Sequence, residues 1–137
     1  TKQLKGDSSS RIIIKDFVDD LYRYSGAADV IVARAGANSL AEFAAQQKAC
    51  IIIPNPQLTG GHQLKNAEAL AEAGAILQIS DEAMQRNPEV LLKEVEFLLD
   101  SVHERAKIAL GLHKLADDSS AHKIVKLLLA REKRGKQ

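Results

Sequence analysis

Tryptophan is absent from this chain, and three Phe and two Tyr are its only aromatic residues. That leaves little with which to stack nucleobases. Charge of either sign is not in excess: 19 Lys and Arg stand against 18 Asp and Glu, for a net charge of +1. No global field therefore recruits nucleic acid. The single cysteine, Cys50, lies inside an apolar run, excludes an internal disulfide and fits a reducing compartment. No apolar run approaches the length of a membrane span, and the polar first residues do not make a signal peptide. His103, His113 and His122 fall on helical, exposed positions without metal spacing or cysteine company, so no metal site is expected. No serine or cysteine nucleophile can be paired with a base, and no catalytic residue is assigned.

What is present is enough for one core. The 137 residues are 45% hydrophobic, which is ordinary for a globular domain. Val30-Ile31-Val32-Ala33 is a short β-branched run, followed by a turn at Ala35-Gly36 and a helical pattern from Asn38 to about Lys48. A second run, Cys50-Ile51-Ile52-Ile53, ends at Pro54. Strand, glycine turn, helix and returning strand predict a right-handed βαβ unit with strands covered on both faces.

The flanks extend the same pattern. Residues 1–10 read as a loop, Ile12-Ile13-Ile14 as a first strand, and Asp16 to Gly26 as the approach to a helix with Leu21, Tyr22 and Tyr24. A helix from His62 places Leu64, Ala67, Leu70 and Ala71 on one face and stops at Gly74. Ala75 to Ile79 is the fourth strand. Asn87-Pro88 opens a helix with Leu91, Leu92, Val95, Leu98 and Leu99 inward. The next carries Val102, Ala106, Ala109 and Leu110, and Ser119-Ser120 caps a last one striped with Ala121, Ile124, Val125, Leu128 and Leu129. Residues 131–137 are a basic tail. The chain is thus expected to be a single α/β domain: a βα core over 11–80 with a Rossmann-like parallel sheet and flanking helices, then C-terminal helices over 81–130. No glycine-rich βα turn precedes the first strand, so the pattern is that of the later part of a larger doubly wound domain.

Ligands of such sheets sit at the carboxyl ends of the strands, where helix N-termini present free N–H groups. Two loops reach that edge. In the first, Gly36 permits close backbone approach, the amides of Ala37, Asn38 and Ser39 can donate to a phosphate, and Glu42 one turn on can accept both hydroxyls of a ribose. In the second, His62, Gln63 and Asn66 follow Gly60-Gly61 and offer donor-acceptor groups suited to sugar hydroxyls. Each loop also has a plainer reading, as a helix start capped by local side chains with a solvated glutamate beyond it.

The run Ala28-Asp29-Val30-Ile31-Val32-Ala33-Arg34-Ala35-Gly36-Ala37, then Ser39, Glu42, Pro54, and Gln63 with Asn66, resembles the C-terminal domain of family 28 glycosyltransferases. Phe17-Val18-Asp19-Asp20 matches the segment before the family's Ala-Asp-hydrophobic strand. The resemblance covers Ile12 to Ile79 in its motifs and the later helices in pattern. It implies a GT-B enzyme of two Rossmann-like domains, with the donor nucleotide held mainly by the C-terminal one. The backbone at Val18 would face uracil, and Gly36, Ala37, Asn38 and Ser39 the diphosphate and sugar. Glu42 would bind the ribose, and Gln63 with His62 the donor sugar. The implied reaction moves N-acetylglucosamine from UDP-N-acetylglucosamine to a lipid-linked muramyl-pentapeptide at the cytoplasmic face of the membrane. The UDP-sugar is a substrate, and no cofactor is implied.

Two departures bear on this. Members with that specificity tend to carry Gln-Gln at His62-Gln63 and Ala-Leu-Thr at Ala37-Asn38-Ser39. The variants seen here are also similar to plant-type UDP-glycosyltransferases and to the small cytosolic subunit of the eukaryotic dolichol-linked N-acetylglucosaminyltransferase, which leaves sugar and acceptor open. The family's acceptor-binding domain and the first βαβ part of its donor domain have no counterpart in these residues. The chain alone is therefore expected to be inactive. The alternative is a non-catalytic nucleotide-sugar-binding subunit whose partner chain supplies the acceptor site.

Overall fold

A computed structural model of the chain describes residues 12–34, 36–55 and 62–115, without the side chains of His62 and Gln63. Ala35, the loop over 56–61, the last expected helix and the basic tail lie outside the described residues. Three parallel strands form the sheet in the order β1 (Val30–Ala33), β2 (Ala49–Ile52), β3 (Leu77–Gln78). Val30 pairs with Ala49 and Ile51 with Leu77, so β2 is the centre of the sheet. Around it run α1 (Leu21–Ala27), α2 (Ala37–Ala45), α3 (His62–Glu72), α4 (Asp81–Arg86), α5 (Glu89–Asp100) and α6 (Val102–Leu115).

The alternation of a strand sends successive β2 side chains to opposite faces. Cys50 and Ile52 meet Leu40, Phe43 and Ala44 of α2, Ala67 of α3 and Leu112 of α6. Ala49, Ile51 and Ile53 meet Leu98 of α5, Ile108 of α6 and Ile79 beyond β3, with Leu91 and Val95 packed beside them. Helix α6 thus contributes to both layers. Its approach depends on Gly111, where a Cβ would lie 3.1 Å from the Gly74 carbonyl oxygen and 3.2 Å from Ala75 Cα. Gly74 itself has φ +68°, the left-handed conformation that ends a helix cheaply only at glycine.

The α/β class, the parallel sheet and the βαβ unit are as the sequence predicts. Several details differ. Ile12-Ile13-Ile14 forms no strand and all three side chains are exposed, because no neighbouring strand is present to pair with them. A short helix unforeseen in the sequence, α4, follows β3; Ser80 caps it by accepting a hydrogen bond from the Ala83 amide at 3.1 Å. On α5 the inward residues are Leu91, Val95 and Leu98, while Leu92 and Leu99 face out. On α6 they are Ile108 and Leu112, with Val102 and Leu110 exposed. His113, expected on the surface, is half-buried, and its Nδ1 lies 3.0 Å from the Ala44 carbonyl oxygen, tying α6 to α2. His103 is exposed as expected.

Candidate functional site

Helix α2 begins where β1 ends. Gly36 is its N-cap in extended conformation (φ −65°, ψ 132°), and its carbonyl accepts the first helical bond, from Leu40 N at 2.9 Å. No side chain caps this end. The first amides of the helix, at Ala37, Asn38 and Ser39, therefore have no intrahelical acceptor and point off the carboxyl edge of the sheet. Asn38 is exposed and Ser39 half-buried. That end of the helix is free to meet an anion, favoured also by the helix dipole.

Glu42 lies one turn on from Asn38, half-buried, on the side of α2 that faces α1. Its Oε1 is 3.3 Å from Ser25 Oγ. Helix α1 is tied to the far end of α2 as well: Gln46 Nε2 donates to the Tyr22 carbonyl at 2.8 Å, and Lys48 Nζ to those of Gly26 at 2.6 Å and Ala28 at 3.1 Å. A groove of about 420 Å³ runs between the two helices along the open edge of β1, lined by Leu21, Tyr24, Ser25, Val32, Ser39 and Phe43 among others. Val18 is half-buried in the non-helical segment that leads into α1.

The second loop converges on the same edge. β2 runs parallel to β1, so the chain leaving it and the N-terminus of α3 lie at the same end of the sheet as Gly36. His62 and Gln63 open α3, and Asn66 is exposed on its second turn. The structure thus brings both predicted loops to one edge by topology; contacts of the His62 and Gln63 side chains lie outside what it describes.

Two features of this edge escaped the sequence reading. Arg34, directly after β1, forms an ion pair with Asp81, the first residue of α4 beyond β3, and Gln85 Nε2 donates to the same carboxylate at 2.7 Å. The pair spans the loops after the two outer strands and leaves a half-exposed cation beside the free start of α2. Ser25 is the other, a buried hydroxyl on the glutamate. A separation of 47 residues hides the first, and a serine inside a helix carries no signal of the second. Cys50 is not a candidate for chemistry: it is fully buried, and burial pushes its thiol up to about 12. Among the described residues no cluster of His, Cys, Asp and Glu could hold a metal, and no helix is long and apolar enough to cross a membrane.

Comparison with known proteins agrees with the geometry. Residues 1–124 match the glycosyltransferase family 28 C-terminal domain. UDP-N-acetylglucosamine–N-acetylmuramyl-(pentapeptide) pyrophosphoryl-undecaprenol N-acetylglucosamine transferase from Anaeromyxobacter sp. strain K is 33% identical over 111 residues, 81% of this chain and 28% of its own length. The protein of the same name from Chlorobium phaeobacteroides is 39% identical over 100 residues, 73% of this chain and 26% of its own. A crystal structure of Acinetobacter baumannii MurG superposes with a TM-score of 0.69 at 28% identity, covering 83% of this chain and 32% of that one. The chain spans less than a third of the length of each of these relatives.

Proposed function

Because the chain belongs to the glycosyltransferase family 28 C-terminal domains, we propose that it is the donor-nucleotide module of a UDP-N-acetylglucosamine-dependent transferase acting on a lipid-linked acceptor. One observation carries the reading. The uncapped start of α2 stands at the carboxyl end of β1, with Glu42 one turn along it. A diphosphate and a ribose, joined as in UDP, need an anion site and a diol acceptor at about this separation. The amides of Ala37, Asn38 and Ser39 take the diphosphate, Glu42 the ribose hydroxyls, the backbone near Val18 the uracil, and His62, Gln63 and Asn66 the sugar.

In the transfer step, negative charge grows on the departing UDP. Amides already oriented toward it stabilise that charge without reorganising, as in other preorganised sites. The acceptor hydroxyl attacks the sugar carbon directly, so no covalent enzyme intermediate forms, and the group that takes its proton lies outside this chain. The donor is a substrate and no cofactor enters the scheme. The acceptor is a peptidoglycan lipid intermediate, met at the cytoplasmic face of the membrane through a further domain. This chain alone then transfers no sugar, and turnover by it would overturn that part of the reading. A second reading, a non-catalytic nucleotide-sugar-binding subunit served by a partner chain, draws on the exposed apolar surface of Ile12, Ile13, Ile14 and Phe17. Whether the native polypeptide continues upstream into an acceptor domain separates the two.

Calorimetric titration with UDP and UDP-N-acetylglucosamine tests the site. Glu42→Ala removes charge-assisted hydrogen bonds and should weaken both ligands about 10- to 100-fold. Gln63→Ala should weaken only the sugar nucleotide. A folded chain that binds neither ligand, or a Glu42→Ala variant that binds UDP as well as the parent, would sink the assignment.

A further inference from the structure

Ser25 is the one buried polar residue among the described residues, 4% exposed, and the donor-site reading gives it no task. Its Oγ lies 3.1 Å from the Leu21 carbonyl oxygen and 3.3 Å from Glu42 Oε1. A serine hydroxyl has one proton for these two acceptors. The Leu21 carbonyl sits one turn back on α1, where it is the normal acceptor of the Ser25 backbone amide, so it does not need the hydroxyl as well. The carboxylate has no other hydrogen-bond donor printed by the geometry around it, and it is the acceptor that gains more from a donor.

We propose that Ser25 is a positioning residue: it holds one oxygen of the Glu42 carboxylate so that the other faces the site, set to accept a vicinal diol. This rests on the donor-site reading of Glu42. A free glutamate must give up side-chain rotamers when it grips a ligand, and a carboxylate fixed beforehand has already done so. One carboxylate offers about four lone-pair positions, so a hydroxyl from Ser25 leaves enough for two ribose hydroxyls. The plainer role, tying α1 to α2, is already filled by Gln46 and Lys48 at the other end of the helix pair. Ser25 acts where Glu42 acts.

The test is a double-mutant cycle in the full chain, with UDP and 2′,3′-dideoxy-UDP as probes and binding followed by calorimetry. Ser25→Ala should weaken UDP about two- to tenfold, the share of one neutral-donor hydrogen bond. It should leave dideoxy-UDP unchanged and have no further effect in a Glu42→Ala background. Ser25→Cys, which keeps the side-chain volume but donates poorly, should behave as Ser25→Ala does, and it carries the test if the smaller residue unfolds the chain. Equal weakening of UDP and dideoxy-UDP by either serine variant, or an undiminished effect beside Glu42→Ala, means a purely structural serine and overturns the proposal. If Glu42→Ala itself fails to distinguish UDP from dideoxy-UDP, the ribose assignment falls and takes this inference with it.

Discussion

β1 and β2 are written in nearly the same residues, Val-Ile-Val-Ala and Ala-Cys-Ile-Ile, and pair in register over their whole length. Their surroundings are opposite. Every residue of β2 is at most 3% exposed, whereas β1 has no fully buried residue and Val32 is 44% exposed. The difference lies in the neighbours. β2 has a strand on each side and helices on both faces; β1 has one strand partner among the described residues and an open groove along its other edge. An apolar run specifies a strand, but burial is conferred by what lies beside it. The division is also functional: the central strand holds the sheet, while the exposed strand delivers the chain to Gly36 and leaves room beside it.

Substitutions on the two strands should make this contrast measurable. Ile51→Ala empties space in a fully buried layer against Leu98 and Ile108 and should cost about 2–5 kcal/mol. Val32→Ala removes a side chain that is nearly half solvated and should cost less than about 1 kcal/mol. Urea denaturation of both variants checks the pair. Equal losses would mean that the open edge of β1 is covered in solution, and the comparison would break.

A smaller effect is expected at the helix that serves both faces of β2. Gly111→Ala places a methyl against the backbone of Gly74 and Ala75, which cannot swing aside as a side chain would. Overpacking of this kind should cost about 1–3 kcal/mol and lift α6 from both layers. Thermal unfolding gives the magnitude. If instead Cys50 stays as slow toward thiol reagents at pH 8 as in the parent, α6 has not moved. A burial-raised thiol near 12 reacts only when the layer over it opens.

How much of this was readable follows the same division. The βαβ unit, the stop at Gly74 and the convergence of two loops on one edge come from local signals: β-branched runs, glycine at turns, and the rule that parallel strands share a carboxyl end. What was misread depended on partners far away. Ile12-Ile13-Ile14 has the composition of a strand but no neighbour to pair with. On α5 an apolar set wider than one face offered two stripes, and the sheet took 91, 95 and 98, leaving Leu92 and Leu99 outside. On α6 the inward face was displaced to Ile108 and Leu112 because Gly111 lets that side approach the sheet. Helix α4 was legible and missed: Ser80, Asp81 and Glu82 are a cap followed by first-turn carboxylates. In the site, Glu42 could be argued from spacing, whereas its partner Ser25 could not.

The smallest predicted effect concerns that overlooked cap, and it sharpens the comparison at the edge itself. Ser80→Ala removes the acceptor of the Ala83 amide and should cost about 1 kcal/mol. Helix α4 has six residues and little else to hold its first turn, so the loss should be local fraying rather than global unfolding. Asp81 stands in that turn, and its grip on Arg34 should loosen with it. Hydrogen exchange should therefore quicken at the start of α4 and at the end of β1, while the amides of β2 stay as protected as in the parent. If protection in β2 falls in step, the edge and the central strand open as one unit, and the separation between a holding strand and a delivering strand does not extend to their dynamics.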